Sequence, residues 1–260
     1  GWDRLMKLAI LQTALHWEMA EENRQHIAQE LKGLEPVDLV ILPEMFTTGF
    51  SMRAPALAET MTGPTLVWLQ ALAQTTQAVI CGSVIITSER GYTNRLLWVT
   101  PRGEVQYYDK RHLFRMAQEH LHYSAGQGKL VTSLAGFNCC PLICYDLRFP
   151  VFSRNLGKAV DVLIYVANWP AKRATHWRAL LQARAIENQC YVVGVNRLGL
   201  DGNTVAYQGD SMVVDFQGEI IMDALDRPGL HYTTLGLEAL NNNRAAFPAW
   251  MDQDDFTLDL

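Results

Sequence analysis

A chain of 260 residues with 49% hydrophobic and 19% charged side chains has an ordinary globular composition and enough apolar material for a large core. Its formal net charge of -5 argues against nucleic acid or an anionic membrane surface as a partner. No apolar run approaches the ~20 residues a membrane helix needs, and no basic segment followed by a long apolar one marks a secretory signal.

Gly1 stands ahead of Met6-Lys7, so residues 1–5 are read as partly foreign to the natural chain and carry no weight. Residues 7–12 (KLAILQ) then read as a first strand. Residues 19–32 read as a helix with Ile27 and Leu31 on one face, stopped by Gly33. Residues 38–42 (DLVIL) are a nearly continuous apolar strand, the kind covered on both faces, and it runs out at Pro43-Glu44. Gly63-Pro64 opens a helix whose Leu66, Leu69, Leu72 and Ala73 follow the 3.6-residue period. From residue 78 to 108 the pattern changes to strands, AVICGSVII, NRLLWVT and EVQYY, with Gly91 and Pro101-Arg102-Gly103 as turns. Residues 111–128 are polar, His-rich and aperiodic, a long loop, and loops of that length inside a compact domain are usually functional.

Residues 137–150 (FNCCPLICYDLRFP) organise the rest. An apolar run delivers Cys144 to its end, a polar turn follows, and Phe149-Pro150 opens a short helix. Cys144 therefore sits at a strand-to-helix junction, where a side chain can face a cleft and backbone N–H groups are left free. The alternative is one more buried small hydrophobe. Beyond it come a strand at 161–166, the turn Ala167-Asn168-Trp169-Pro170, and a helix capped by Thr175 with Trp177, Leu180, Leu181 and Ala185 inward. A strand at 190–196, a Gly/Asp-rich connection at 199–209, two or three strands within 211–235 and a short helix complete the chain. No linker or repeat interrupts this order, which points to a single α/β domain over 1–260 with a mixed sheet or sandwich.

Three reactive groups stand at three strand ends: Glu44 after DLVIL, Lys110 after EVQYY and Cys144 after CCPLI. In layered α/β proteins functional groups gather just beyond the carboxyl ends of strands. If these strands neighbour one another in parallel, a carboxylate, an ammonium and a thiol share one cleft. Spacing alone equally allows Glu44 as a surface acid and Lys110 as part of a solvated Asp-Lys-Arg run. The five cysteines, odd in number and without repeating spacing, read as free thiols of a reducing cytoplasm. His120 and His122 beside Glu119 have no HExxH or Cys-x-x-Cys companion, so no metal is expected.

The blocks Leu42-Pro43-Glu44, Asp109-Lys110-Arg111-His112-Leu113-Phe114 and Cys144-Tyr145-Asp146-Leu147-Arg148-Phe149-Pro150 resemble the three signature blocks of the nitrilase (carbon–nitrogen hydrolase) superfamily, in order and with comparable gaps. The resemblance extends to Ala167-Asn168-Trp169-Pro170 and Ala183-Arg184-Ala185-Ile186-Glu187-Asn188, and so covers nearly the whole chain. The Phe-Thr-Thr-Gly-Phe run after Glu44 and the HLHY after Glu119 are similar to its bacterial omega-amidase branch. It implies an α-β-β-α sandwich, a homodimer, no cofactor, and a triad of Glu44, Lys110 and Cys144 that hydrolyses an amide through a cysteine thioester. Glu119 then matches the family's second glutamate, which orients Lys110; the alternative is an exposed loop acid. The Tyr145 backbone N–H is the expected second donor to the oxyanion.

The branch implies 2-oxo acids bearing a terminal amide, such as 2-oxoglutaramate and 2-oxosuccinamate, whose carboxylate calls for a cation. Arg173 and Arg115 are both candidates, whereas Arg148 is expected to pair with Asp146 or another acid. Phe46, Tyr145 and Trp169 are expected to wall the pocket. Another aliphatic amide, a nitrile or an N-carbamoyl compound is the competing substrate class, and a non-catalytic thiol sensor on the same fold is the competing function.

Overall fold

The computed structural model describes residues 3–260, and its strands form two six-stranded sheets packed face to face with helices outside. In the first sheet, β1 (Leu5–Gln12), β2 (Leu39–Ile41) and β3 (Val79–Ser88) lie parallel, and β4 (Gly91–Val99) and β5 (Val105–Asp109) continue it as an antiparallel meander. In the second, β6 (Thr132–Leu134) lies antiparallel to β7 (Phe137–Ile143), which runs parallel with β8 (Val162–Ala167) and β9 (Tyr191–Asn196). After a hairpin of β10 (Leu198–Leu200) and β11 (Ala206–Gln208), β12 (Ser211–Val214) and β13 (Ile220–Leu225) finish that sheet. The last strand, β14 (Gly229–Gly236), returns to pair antiparallel with β1.

The period-2 alternation of strand side chains builds the layers. Met6, Leu8 and Ile10 of β1 join Leu39 and Ile41 in the core between the sheets. Ala9 and Leu11 point the other way, onto Ile27 of α1 (Ala20–Glu30) and onto Leu66, Leu69 and Ala73 of the helix Pro64–Thr76. Opposite, the helix Ala174–Asn188 lays Trp177, Leu181 and Ala185 on the second sheet. Each leucine, isoleucine and methionine among them contributes about 1.5–3 kcal/mol when fully buried. The result is the α-β-β-α sandwich. Among the described residues no helix is long and apolar enough to cross a membrane.

Several local expectations need correcting. Of residues 1–5, the first two lie outside the described range, while Leu5 already belongs to β1. The Ala174–Asn188 helix has no side-chain cap; Arg173 precedes it and Thr175 falls inside its first turn. The Gly/Asp-rich connection holds the β10–β11 hairpin, and residues 111–128 hold two short helical turns, Arg115–Ala117 and Glu119–His122. Most consequentially, the three strands that end in reactive groups are not parallel neighbours. β2 and β5 share a sheet but are separated by β3 and β4, and β7 belongs to the other sheet. Their ends meet across the sandwich.

Candidate active site

Each side chain is delivered by a local irregularity. After β2 the chain crosses the face of β3, with Met45 N donating to Ser83 Oγ at 2.8 Å and Phe46 N to the Ser83 carbonyl at 3.2 Å. A Cβ on Gly82 would sit 2.8 Å from both Leu42 and Phe46, so the crossing needs a glycine there. Lys110 follows β5, its N–H on the Asn94 carbonyl at 2.9 Å, and Gly126 N returns to the Lys110 carbonyl at 2.9 Å. A Cβ on Gly126 would collide with the Asp109 carbonyl oxygen, which is why the loop can close only on glycine. Cys144 itself has φ +44°, left-handed and costly for a residue with a Cβ, and it opens the 3-10 turn Cys144–Arg148.

The groups converge in a water-poor cluster. Lys110 Nζ donates to Glu44 Oε2 at 2.8 Å and to Glu119 Oε1 at 2.9 Å. Asn94 Nδ2 bridges the same two carboxyls, at 2.8 Å to Glu44 Oε2 and 3.1 Å to Glu119 Oε2. Phe114 N adds a 2.7 Å bond to Glu119 Oε1, fixing it from the loop. The Asn168 peptide links acid to thiol: its N–H donates to Glu44 Oε1 at 3.0 Å, and its carbonyl accepts from Cys144 Sγ at 3.8 Å. Asn168 Nδ2 donates to the Glu44 carbonyl at 2.5 Å. Trp169 N and O are in turn held by Asn196, at 2.8 and 3.0 Å.

Burial sets the electrostatics. Burial and then the Glu44 carboxylate push the Cys144 thiol well above its ordinary pKa, and Lys110 offsets them only in part. Burial alone would lower the Lys110 ammonium, but Glu119 and Glu44 outweigh it and hold the pKa above the usual lysine range. Burial raises the Glu119 carboxyl against the pull of Lys110. Burial and Glu44 thus both favour the protonated thiol, and Lys110 opposes them.

A cavity of about 310 Å³ opens on this cluster, lined by Lys110 and Cys144 together with Phe50, Phe114, Tyr145, Trp169, Arg148 and Arg173, among others. Cys144 is the only one of the five cysteines that lines it. The Arg148 guanidinium lies over the Trp169 ring at 4.8 Å with Nη2 3.0 Å from His176 Nδ1, and Arg173 lies over the Phe114 ring at 5.6 Å. Burial and the nearby Arg173 charge lower the Arg148 pKa, so two cations face one space.

The family model for carbon-nitrogen hydrolases matches residues 7–244. The chain belongs to the carbon-nitrogen hydrolase family. It is 49% identical over 258 residues to the omega-amidase YafV of Escherichia coli K12, covering 97% of this hydrolase and 98% of that protein. A 2-oxoglutaramate amidase of Bacillus subtilis is 32% identical, covering 88% of each chain. Among solved structures, a hydrolase superfamily protein of Xanthomonas campestris with an arsenic adduct in its active site superposes with a TM-score of 0.96 at 45% identity, over 99% of this chain and 100% of that one.

Within this hydrolase, Glu44, Lys110, Cys144 and Glu119 come together, and Tyr145, Trp169 and Arg173 line the cavity beside them. Phe46 does not. It is fully buried beside Trp68 and Gly82, in the apolar layer that the first sheet shares with Leu66, Leu69 and Ala73 of the helix Pro64–Thr76. Arg115 is not among the lining residues. Arg148 lines the cavity instead of pairing with Asp146, whose carboxylate is taken by Tyr108, His112 and Ile143. Glu119 is completely buried, which removes the exposed-acid alternative. Asn94 and Asn196 carried no signal in the sequence, Asn94 lying between Thr93 and Arg95 in the polar half of its strand and Asn196 being the one polar residue at the end of an apolar strand. Asn168 lay in a block already singled out and could have been found there. Among the described residues, no group of three or more His, Cys, Asp or Glu side chains is arranged to hold a metal ion.

Proposed function

We propose that this hydrolase is an omega-amidase that releases ammonia from the terminal amide of 2-oxo acid monoamides such as 2-oxoglutaramate and 2-oxosuccinamate. The observation that carries the reading is a single cavity with two chemistries: Cys144 and Lys110 in its wall, and the Arg148 and Arg173 guanidiniums, neither ion-paired among the described residues, facing the same space. The relatives named for this activity support it.

In this reading Glu44 takes the thiol proton as Cys144 Sγ attacks the amide carbon. The carbonyl oxygen turns negative against Lys110 Nζ and the Tyr145 backbone N–H, donors already in place before charge develops. Glu44 passes the proton to the leaving nitrogen, the C–N bond breaks, and ammonia departs from a Cys144 thioester. Water then gives a proton to Glu44 and attacks the thioester. Its collapse releases the second carboxyl group and returns the proton to sulfur. Glu119 touches Lys110 and holds it in place. Arg173 and Arg148 bind the substrate carboxylate, and residues 1–260 act as a single domain. A homodimer and a cytoplasmic location belong to the same proposal: exposed Ile186, Phe247 and Met251 offer apolar surface, and the five cysteines are free.

Ammonia release from 2-oxoglutaramate is the assay, with the intact mass of Cys144 after brief exposure as its companion. An acyl adduct on Cys144 is the expected result. Protein whose Cys144 can be alkylated but which releases no ammonia would defeat the substrate assignment. Arg173→Gln is expected to raise KM for the 2-oxo acid by about 10–100-fold, while leaving a neutral amide of similar length unaffected.

A further inference from the structure

One buried carboxylate lies close to the reacting groups without touching them. Asp146 has no solvent exposure and no lysine or arginine partner among the described residues, and four donors converge on it. Oδ2 accepts from Tyr108 Oη at 2.7 Å and Ile143 N at 2.9 Å; Oδ1 accepts from His112 N at 3.1 Å and His112 Nδ1 at 2.8 Å. A carboxylate only accepts, so the His112 ring carries its proton on Nδ1.

The placement of those donors is the argument. Tyr108 and His112 stand two residues before and two residues after Lys110, and Ile143 immediately precedes Cys144. Tyr108 Oη also accepts from Arg111 N at 3.1 Å, tying in the residue next to Lys110. β5 and β7 lie in different sheets, so no backbone ladder fixes one against the other. Side-chain packing between sheets sets their slide only softly, whereas reacting groups must be held to a fraction of an ångström. Cys144 also has a left-handed backbone, which persists only where its surroundings over-determine it.

We propose that Asp146 is a positioning residue: one carboxylate latches the strand end bearing Lys110 to the turn bearing Cys144 and so sets their separation and facing. The effect on turnover rests on the amidase reading above; the latch itself does not. His112 reinforces it by stacking on Phe149, ring centroids 4.1 Å apart, on the far side of the same turn. An asparagine at 146 presents one amide group to donors where a carboxylate accepts, so it breaks at least one side of the latch while conserving volume.

The test uses the full chain carrying Asp146→Asn or Tyr108→Phe. It follows kcat and KM on 2-oxoglutaramate, the melting transition, and the rate at which iodoacetamide alkylates Cys144, read by intact mass. Asp146→Asn is expected to lower kcat about 100-fold with KM within about 3-fold, since a misplacement near 1 Å has that cost. Tyr108→Phe removes one of four donors and is expected to lower kcat about 3–10-fold with the same split. It keeps the ring in the core, so it carries the test alone if Asp146→Asn does not fold. Wild-type kcat in a folded variant, or a loss that only tracks the folded fraction, overturns the proposal. If the wild-type protein releases no ammonia, the amidase reading fails separately. The alkylation rate still reads the latch: a change above about 3-fold in the variants supports it and an unchanged rate overturns it.

Discussion

Asp109 and Lys110 are consecutive residues at the end of β5, and the strand's alternation sends their side chains to opposite faces. On one face, Arg95 grips the Asp109 carboxylate through Nε at 2.8 Å and Nη2 at 3.0 Å, with its guanidinium stacked 3.8 Å from the Tyr107 ring. One charge meets one charge, both oxygens are bonded, and neither residue lines the cavity. On the other face, one ammonium meets two carboxyl groups, and the cluster borders a cavity and the Cys144 thiol. Burial alone does not separate the two, since both are dry. What separates them is stoichiometry and access. A matched pair is closed, whereas an excess of acid beside a cavity can take up a proton and give it back.

The comparison breaks most visibly in turnover. Cys144→Ala is expected to lower kcat about 10⁴-fold or more with the fold retained, and Lys110→Met about 10³-fold, because in the proposed mechanism each removes a group that acts on the reacting carbonyl. Ammonia release checks both, and wild-type turnover in Lys110→Met would remove Lys110 from the catalytic group. Across the strand, Arg95→Met strands the buried Asp109 carboxylate and is expected to cost about 3–5 kcal/mol of stability, while kcat per folded molecule changes less than about 10-fold. Urea unfolding with turnover normalised to the folded fraction separates these outcomes. A collapse of kcat in Arg95→Met to the level of Lys110→Met would erase the distinction.

A finer measurement asks whether the two site charges act on the thiol in opposite directions. Glu44 raises the Cys144 pKa and Lys110 lowers it, so Glu44→Gln is expected to bring the pH midpoint of Cys144 alkylation down and Lys110→Met to move it up. The wild-type rate is expected to keep climbing with pH beyond the ordinary thiol value near 8.5. Cys140 and Cys190, pushed up to about 12 by burial and lining no cavity, are expected to stay unmodified until the protein unfolds. Both variants shifting the midpoint the same way would contradict this electrostatic account.

How much of this was readable beforehand follows from what short-range pattern can carry. Glu44, Lys110 and Cys144 stood out as reactive residues at strand ends, a local signal that left surface roles equally open, and alternating strands and helices carried only a mixed sheet or sandwich; the resemblance of the three blocks to the carbon–nitrogen hydrolases is what singled out the triad and the α-β-β-α sandwich. The pairing of sheets was not visible, since β2, β5 and β7 carry no mark of which neighbour each will take. Phe46 was misplaced because an aromatic two residues after Glu44 carries no mark of whether it faces the cavity or the core, and its ring joins the apolar layer beside Trp68. Arg148 was misassigned because the turn Cys144–Arg148 is a 3-10 helix, in which residues three apart eclipse, so Arg148 stands over Tyr145, which also lines the cavity, while Asp146 is already taken by Tyr108, His112 and Ile143. Asn94 sits in a strand where either face was open to it, and only the opposing loop reveals which one it serves.

Solvent supplies the third member of the series and the smallest effect. Arg178 binds Asp223 through Nη2 at 2.6 Å and Nη1 at 3.1 Å, a fork like that of Arg95 with Asp109 except that Nη1 also reaches Asp210 Oδ1 at 3.0 Å, and the Arg178 and Asp223 side chains are 29% and 27% exposed. Its hydrogen bond holds the Asp223 carboxyl below the usual carboxylate range. A depressed folded-state pKa stabilises the protein above the unfolded aspartate value, and that contribution disappears as pH falls through the folded value. Screening limits the gain, so Arg178→Met is expected to cost about 0.2–1 kcal/mol at pH 7 and less once Asp223 is protonated in both states, when only the bond to Asp210 is left. Urea unfolding of the two proteins at neutral and acidic pH measures the difference. A neutral-pH loss as large as that of Arg95→Met would mean that geometry, and not exclusion of water, sets the strength of these forks.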